Sequence, residues 1–288
     1  MSAVPAFAVV AHRAEPTSSR LGAVLTPARA LSRLRAGDVA LARLDVLQSL
    51  DGIEPGLWAI DRLEATGVVV RNRRPALVAS HDKLRTAQVL FSAGVPHPRT
   101  VHVAPWLPRP ELEAPLVFKP RFGSWGRDVV RCDTDGEIGP ALSWLGSRRW
   151  YAATGGIAQK LVAPRGYDLR ILVAGGKVAG AIRRVAAAGE WRTNVELGAR
   201  REPVSPPPDA CSIALAAARA VGGDLVGIDL LPADVGTWVV LEVNGAVAFT
   251  GAYSIDGDVF ETVRAALTAD DQAPLPLAAE ALSSVTPL

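Results

Sequence analysis

The sequence predicts an α/β fold built from more than one packed unit. Strand-length apolar runs alternate with helix-length segments up to Ala79, and short strands separated by glycine turns follow. An Ala-rich helix then leads into the apolar runs Leu225 to Leu231 and Trp238 to Val243, which flank a turn. The chain has 288 residues, 49% of them hydrophobic, so it exceeds one typical domain and has ample material for cores.

In order, Ala6 to Ala11 reads as a strand, Pro27 to Arg35 as a helix, and Asp38 to Leu44 as a strand ending in Arg43 and Asp45. Ile53 to Thr66 has Leu57, Ile60 and Leu63 on one helical face, and Gly67 to Val70 is a further strand. Ser80 or Asp82 can cap a helix from Lys83 to Ala93 that stops at Gly94. Pro115 to Pro120 is a strand containing Lys119. It enters the loop Arg121-Phe122-Gly123-Ser124-Trp125-Gly126-Arg127-Asp128, which suits a flap over a polyphosphate; an ordinary hairpin is the plain alternative. The P-loop pattern is excluded by spacing.

Ile157 to Val162 and Arg165 to Val173 are the next strands. In the second, Asp168 and Arg170 share one face while Leu169, Ile171 and Val173 share the other. Val178 to Val185 brings Arg183 and Arg184, and the loop Glu190 to Asn194 brings Arg192. Asp209 can cap the Ala-rich helix that Gly222-Gly223 ends. Asp258 to Leu267 is a last helix, and the final residues read as a tail.

A turn near Val235 and Gly236 puts Asp229 opposite Glu242, with Asn244 on the same face. Two carboxylates among aliphatic strands are costly without a positive partner, and Mg²⁺ suits such oxygen donors; pairing of each acid with an arginine is the alternative. Only Lys83, Lys119, Lys160 and Lys177 are lysines among 31 basic residues, which marks them as places where a compact ammonium is wanted. Lys177, in a glycine turn, is the one best read as chance. Lys83 in a first helical turn opposes the dipole preference, which fits phosphate binding or else a solvated surface residue.

A net charge of +2 gives no electrostatic case for nucleic acid or membrane partners. There is no membrane-length apolar run, and Ala3 to Ala11 lacks a basic leader. Cys132 and Cys211 are too few for a disulfide framework, so the expectation is a cytoplasmic protein.

The ordered blocks Asp82-Lys83, Lys119 with its glycine loop, Gln159-Lys160-Leu161-Val162, Asp168-Leu169-Arg170, Arg192-Thr193-Asn194, Asp229 and Glu242-Val243-Asn244 resemble the ATP-grasp superfamily. Within it the chain is similar to the RimK-type glutamate ligases, over roughly Ser80 to Leu267. The resemblance implies an N-terminal α/β pre-ATP-grasp domain (1–79) and two ATP-grasp subdomains (80–158 and 159–268) clamping the nucleotide, with a flexible tail (269–288). It implies that Lys83, Lys119, Ser124 and Gly126 contact ATP phosphates and that Gln159, Lys160 and Leu161 form the adenine segment. Asp168, Arg192 and Asn194 match nucleotide-site positions. Asp229, Glu242 and Asn244 match ligands of two Mg²⁺ ions, with Mn²⁺ as a substitute, and Arg170 and Arg184 match arginines near the transferred phosphate. The implied activity joins a carboxylate to an amine through an acyl phosphate, adding glutamate or another amino acid to a small molecule or peptide, in a homodimer or homotetramer. Rival readings are an ATP-binding protein without turnover and an ATP-grasp kinase. Two departures stand out: Asp128 replaces a common third glycine and needs a partner such as Arg127, and Gly245 to Tyr253 replaces the usual continuation, where substrate choice is expected to lie.

Overall fold

The computed structural model describes residues 6–46, 56–107, 109–123, 125–233 and 236–269. The expected tail beyond 269 and Ser124 lie outside the described residues.

The first unit runs β1 (Phe7–Val10), α1 (Pro16–Leu21), β2 (Ala23–Leu25), α2 (Pro27–Arg33), β3 (Val39–Ala42), α3 (Leu57–Ala65) and β4 (Val69–Arg71). Its sheet is parallel, in the order β2-β1-β3-β4, as expected for strands joined by crossovers. Val10, Ala40, Leu44, Ile60 and Leu63 form its core. Sequence reading misses α1, because Pro16-Thr17-Ser18-Ser19-Arg20-Leu21 has no apolar stripe and owes its start to a proline in the first turn.

Next come α4 (Arg74–His81) and α5 (Lys83–Ser92). Ser80 belongs to α4, and Asp82 is the cap of α5, its side chain accepting from Leu84 N at 3.1 Å. The second unit comprises β5 (Thr100–Val103), β6 (Leu116–Pro120), β7 (Val130–Cys132), α6 (Ile138–Gly146), α7 (Arg149–Thr154) and β8 (Gly156–Lys160). Its antiparallel sheet has the order β5-β8-β6-β7 and packs on α6 and α7 through Leu116, Phe118, Ile138, Leu145 and Tyr151.

The third unit holds β9 (Tyr167–Ala174), β10 (Lys177–Val185), β11 (Arg200–Pro203), α8 (Pro208–Val221), β12 (Leu225–Pro232), β13 (Trp238–Asn244) and α9 (Val259–Thr268). The sheet is antiparallel, in the order β11-β10-β9-β12-β13. Leu169, Ile171 and Val173 pack with Val226, Ile228 and Leu230 against the alanines of α8. Leu172, Ala174 and Leu225 face the other way, toward Val263 and Leu267 of α9 and Val9 and Leu41 of the first unit. The expected Asp209 cap is corrected: Pro207 is the N-cap and Pro208 begins α8, so Asp209 lies inside the first turn, where its charge still suits the helix dipole. Asn72, buried with φ 55°, ties the first unit to the third by accepting from Asp224 N and Leu225 N and donating to Leu225 O.

Candidate active site

The site depends on one irregularity in β13. From the turn outward Pro232 pairs with Trp238, Leu231 with Val239 and Leu230 with Val240; the register then shifts, and Asp229 pairs with Glu242. Leu241 is the extra residue of a β-bulge. Trp238 and Val240 face the α8 core, so strict alternation would send Glu242 there too. The bulge instead gives that core Val243 and turns Glu242 and Asn244 to the face that carries Asp229.

Cross-strand registry also builds the cation partners. Asp229 lies opposite Arg170 of β9, and Asp168 lies opposite Arg184 of β10. Arg170 grips Asp229 with Nε at 2.6 Å and a terminal nitrogen at 2.7 Å, and Arg184 reaches the same carboxylate at 2.9 Å. Arg184 also forks onto Asp168, which accepts from Thr193 Oγ1 at 2.5 Å. Burial alone would raise the Asp229 carboxyl, but the two guanidiniums overcome it and hold it at about 2. The arginine pairing weighed from sequence is thus what Asp229 adopts. Glu242 pairs with Lys83 Nζ at 3.1 Å, and Lys83 also donates to Gly123 O, which joins the start of α5 to the flap.

Among the described residues Lys119 has no carboxylate within hydrogen-bond reach. Its Nζ donates to Gln159 Oε1 at 2.7 Å, and Gln159 Nε2 in turn donates to Thr100 Oγ1 at 2.9 Å. Burial pushes the Lys119 ammonium down to about 8, against the opposing pull of Glu242.

The flap is shaped by left-handed residues. Gly126 has φ 70°, and a Cβ there would lie 2.8 Å from Asn194 Oδ1. Arg192 straps it down by donating to Gly126 O at 3.0 Å, while Glu190 holds the rest of that guanidinium at 2.8 and 3.0 Å. Asp128 has φ 54°, the conformation a glycine would take, which aspartate tolerates better than most side chains. Its partner is not Arg127: Asp128 Oδ2 accepts from Trp150 Nε1 at 2.9 Å, and Arg127 stacks over Trp125.

One cleft collects Lys83, Lys119, Gly126, Gln159, Lys160, Leu161, Asp168, Arg184, Arg192, Asn194, Asp229 and Glu242 in its lining, and a second, adjoining cavity is lined by Arg170 and Asn244. The Lys160 ammonium bonds the carbonyls of Glu113 and Ala114, so it secures a neighbouring loop, and the Leu161 amide is taken by Pro115 O. Sequence reading missed Arg121, which forks onto Asp82 at 2.6 and 2.7 Å, and gave Thr193 no role of its own. An arginine two residues past Lys119 carried no signal, because the partner stands 39 positions away.

Among the described residues no group of three or more His, Cys, Asp or Glu side chains forms a cage for a metal. Glu242 and the Asn244 amide oxygen, with Asp229 behind them, are hard donors too few to enclose a cation alone. That set fits Mg²⁺, which commonly takes one or two carboxylates together with substrate phosphates.

A clamp of two antiparallel sheets, with a glycine flap and lysines over an oxygen-donor face, is the architecture of an ATP-grasp protein. A family model described as the RimK-like ATP-grasp domain matches residues 80–262, and the chain belongs to that family. Curated relatives include a probable alpha-L-glutamate ligase of Parasynechococcus marenigrum strain WH8102, 31% identical over 68% of this chain and 42% of the relative. The tetrahydromethanopterin:alpha-L-glutamate ligase of Methanosarcina acetivorans is 32% identical over 68% of this chain and 66% of its own length. The first of these relatives is thus more than twice as long as the region matched. Solved structures show the same fold: D-cycloserine synthetase DcsG has TM-score 0.65 at 20% identity, covering 90% of this chain and 98% of that one. The ligase PsnB with minimal precursor, Mg and ADP has TM-score 0.62 at 17% identity, covering 91% and 98%. No helix among the described residues is long and apolar enough to cross a membrane.

Proposed function

We propose that this protein is an ATP- and Mg²⁺-dependent carboxylate–amine ligase that adds an amino acid, glutamate being the leading choice, to a small molecule or peptide. The observation that carries this reading is Lys119: a half-buried ammonium bonded among the described residues only to a neutral amide, facing a cleft beside Lys83 and Glu242. A polyphosphate supplies the anion such a site lacks. Four cations (Lys83, Lys119, Arg170, Arg184) stand against three carboxylates (Asp168, Asp229, Glu242), so the site is net positive before substrate enters.

Lys83 and Lys119 hold the phosphates under the flap strapped by Arg192. Glu242, Asn244 and Asp229, whose carboxylate would then be shared with Arg170 and Arg184, would hold magnesium, two ions by resemblance, with Mn²⁺ able to substitute. The metal when bound neutralises developing phosphate charge. A substrate carboxylate oxygen attacks the γ-phosphorus and ADP leaves. The amine nitrogen then attacks the acyl carbon, the C–N bond forms, phosphate departs and the amine loses a proton. Arg170 and Arg184, fixed by their carboxylates, stabilise the oxyanion from set positions. No side chain serves as a covalent nucleophile. The free cysteines Cys132 and Cys211 suit a reducing cytoplasm, and a homodimer or homotetramer rests on the resemblance alone.

Incubation with ATP, Mg²⁺ and a metabolite extract tests this reading. It predicts ADP together with a new amide mass; a phosphorylated product would favour a kinase, and ATP binding without ADP would favour a non-catalytic protein.

A further inference from the structure

The cavity beside the nucleotide cleft is walled on one side by Arg170, Arg184 and the residues from Asn244 to Ala248, and on the other by the first unit, through Ser18 and Arg43. Arg43 is 5% exposed. Its Nε donates to Ser18 Oγ at 3.1 Å and one terminal nitrogen to Ala246 O at 3.3 Å, while the other, Nη1, is buried with no hydrogen-bond partner among the described residues. A buried guanidinium with no acceptor at one nitrogen is a costly arrangement. Burial draws it down to about 10, with Glu15 only partly offsetting.

The other cations around this cavity are accounted for differently. Arg170 and Arg184 are neutralised by Asp229 and Asp168, and Arg13 pairs with Glu15 at 3.2 Å. Arg201 is exposed at the rim. Among the described residues Arg43 is therefore the deeply placed cation of this wall that has no bonded carboxylate, and it sits beside Ala246 in the segment after Asn244.

We propose that Arg43 binds a substrate carboxylate that is not consumed in the reaction: the free carboxylate of the amino acid that enters as the amine. The second cavity is then the amino-acid site, and Arg43 selects for an acidic group there. A planar guanidinium with a free nitrogen matches a carboxylate and not a carboxamide, which offers donors of its own. The inference rests on the ligase reading for which substrate occupies the cavity, although the binding itself needs no turnover.

The test uses the full chain with a non-hydrolysable ATP analogue and Mg²⁺. Calorimetric titrations compare L-glutamate with its α-carboxamide and its γ-carboxamide. Wild type is expected to prefer glutamate over one of the two carboxamides by about 10- to 100-fold, the range for a charge-assisted hydrogen bond. Arg43→Gln is expected to shrink that preference below about threefold, and Arg43→Lys to retain part of it. Arg43→Lys keeps the buried charge and covers the case in which Arg43→Gln does not fold: it should bind glutamate more weakly than wild type while the affinity for the discriminated carboxamide changes little. An unchanged preference in folded Arg43→Gln, or in Arg43→Lys, overturns the proposal. If the preference depends on Arg43 while no amide product forms with any amine, the ligase reading fails and the carboxylate site stands.

Discussion

Lys119 Nζ donates to Gln159 Oε1 at 2.7 Å, and that neutral amide is its one hydrogen-bond partner among the described residues. A lysine held at about 8 is mostly charged at neutral pH, and above about pH 8 it must take up a proton when a polyphosphate arrives. Affinity for an ATP analogue at fixed Mg²⁺ should therefore fall as pH rises above about 8, approaching tenfold per pH unit. Titrations across that range check it, with Lys119→Met expected to bind more weakly and to lose this component of the pH dependence. The same group acts on stability with the opposite sense. Between about 8 and the ordinary 10.5 the unfolded chain keeps a proton that the folded chain has released, so stability rises with pH in wild type relative to Lys119→Met.

Asp229→Asn removes one charge from between Arg170 and Arg184 and leaves two buried guanidiniums undercompensated. Chemical denaturation should show a loss of about 3–5 kcal/mol, the range for breaking a buried ion pair by removing one partner. The Asp229 carboxyl lies below its ordinary 3.8, at about 2, so its stabilisation is present above pH 3.8 and is lost as pH falls toward 2. The variant should lack that acid-labile component.

Deleting Leu241 removes the extra residue of the bulge but keeps the faces: Val240 stays in the α8 core, Glu242 follows it on the Asp229 face, and Val243 returns to the core. The expected result is a folded variant that still binds nucleotide, read by thermal melting and by titration with an ATP analogue. Loss of nucleotide binding in a folded deletion variant would mean that Leu241 does more than keep Glu242 on that face.

Asp128→Gly should keep the flap, because glycine takes φ 54° without strain, whereas Asp128→Val should cost about 1–2 kcal/mol in backbone strain and loosen the loop. Thermal melts, together with the ATP concentration needed for half-maximal ADP release, separate the two effects.

Much of this site was legible because it is built from strands. Pairing and alternation put Asp229 opposite Glu242 and set Asp168 and Arg170 on one face, and both hold in the structure. The estimate of the turn centre worked for a reason the sequence does not display: the centre lies one half-step earlier at the tip, and the bulge at Leu241 makes up the difference. Illegible were the contacts made across long separations, such as Arg121 with Asp82, Asp128 with Trp150 and Arg43 with Ala246. Local pattern says nothing of a side chain's partner on another sheet. Elements without an apolar stripe were also missed, among them α1 and the charged edge strand β11.

The central claim is that the face carrying Glu242 holds the metal and phosphates of an amide-forming reaction. The most direct measurement is ATP-dependent release of ADP together with a new amide mass, wild type against Glu242→Ala, with circular dichroism confirming that both are folded. The account predicts both products from wild type and a loss of at least about 100-fold in the variant, consistent with removal of a group that stabilises transition-state charge. Full activity in folded Glu242→Ala would contradict it.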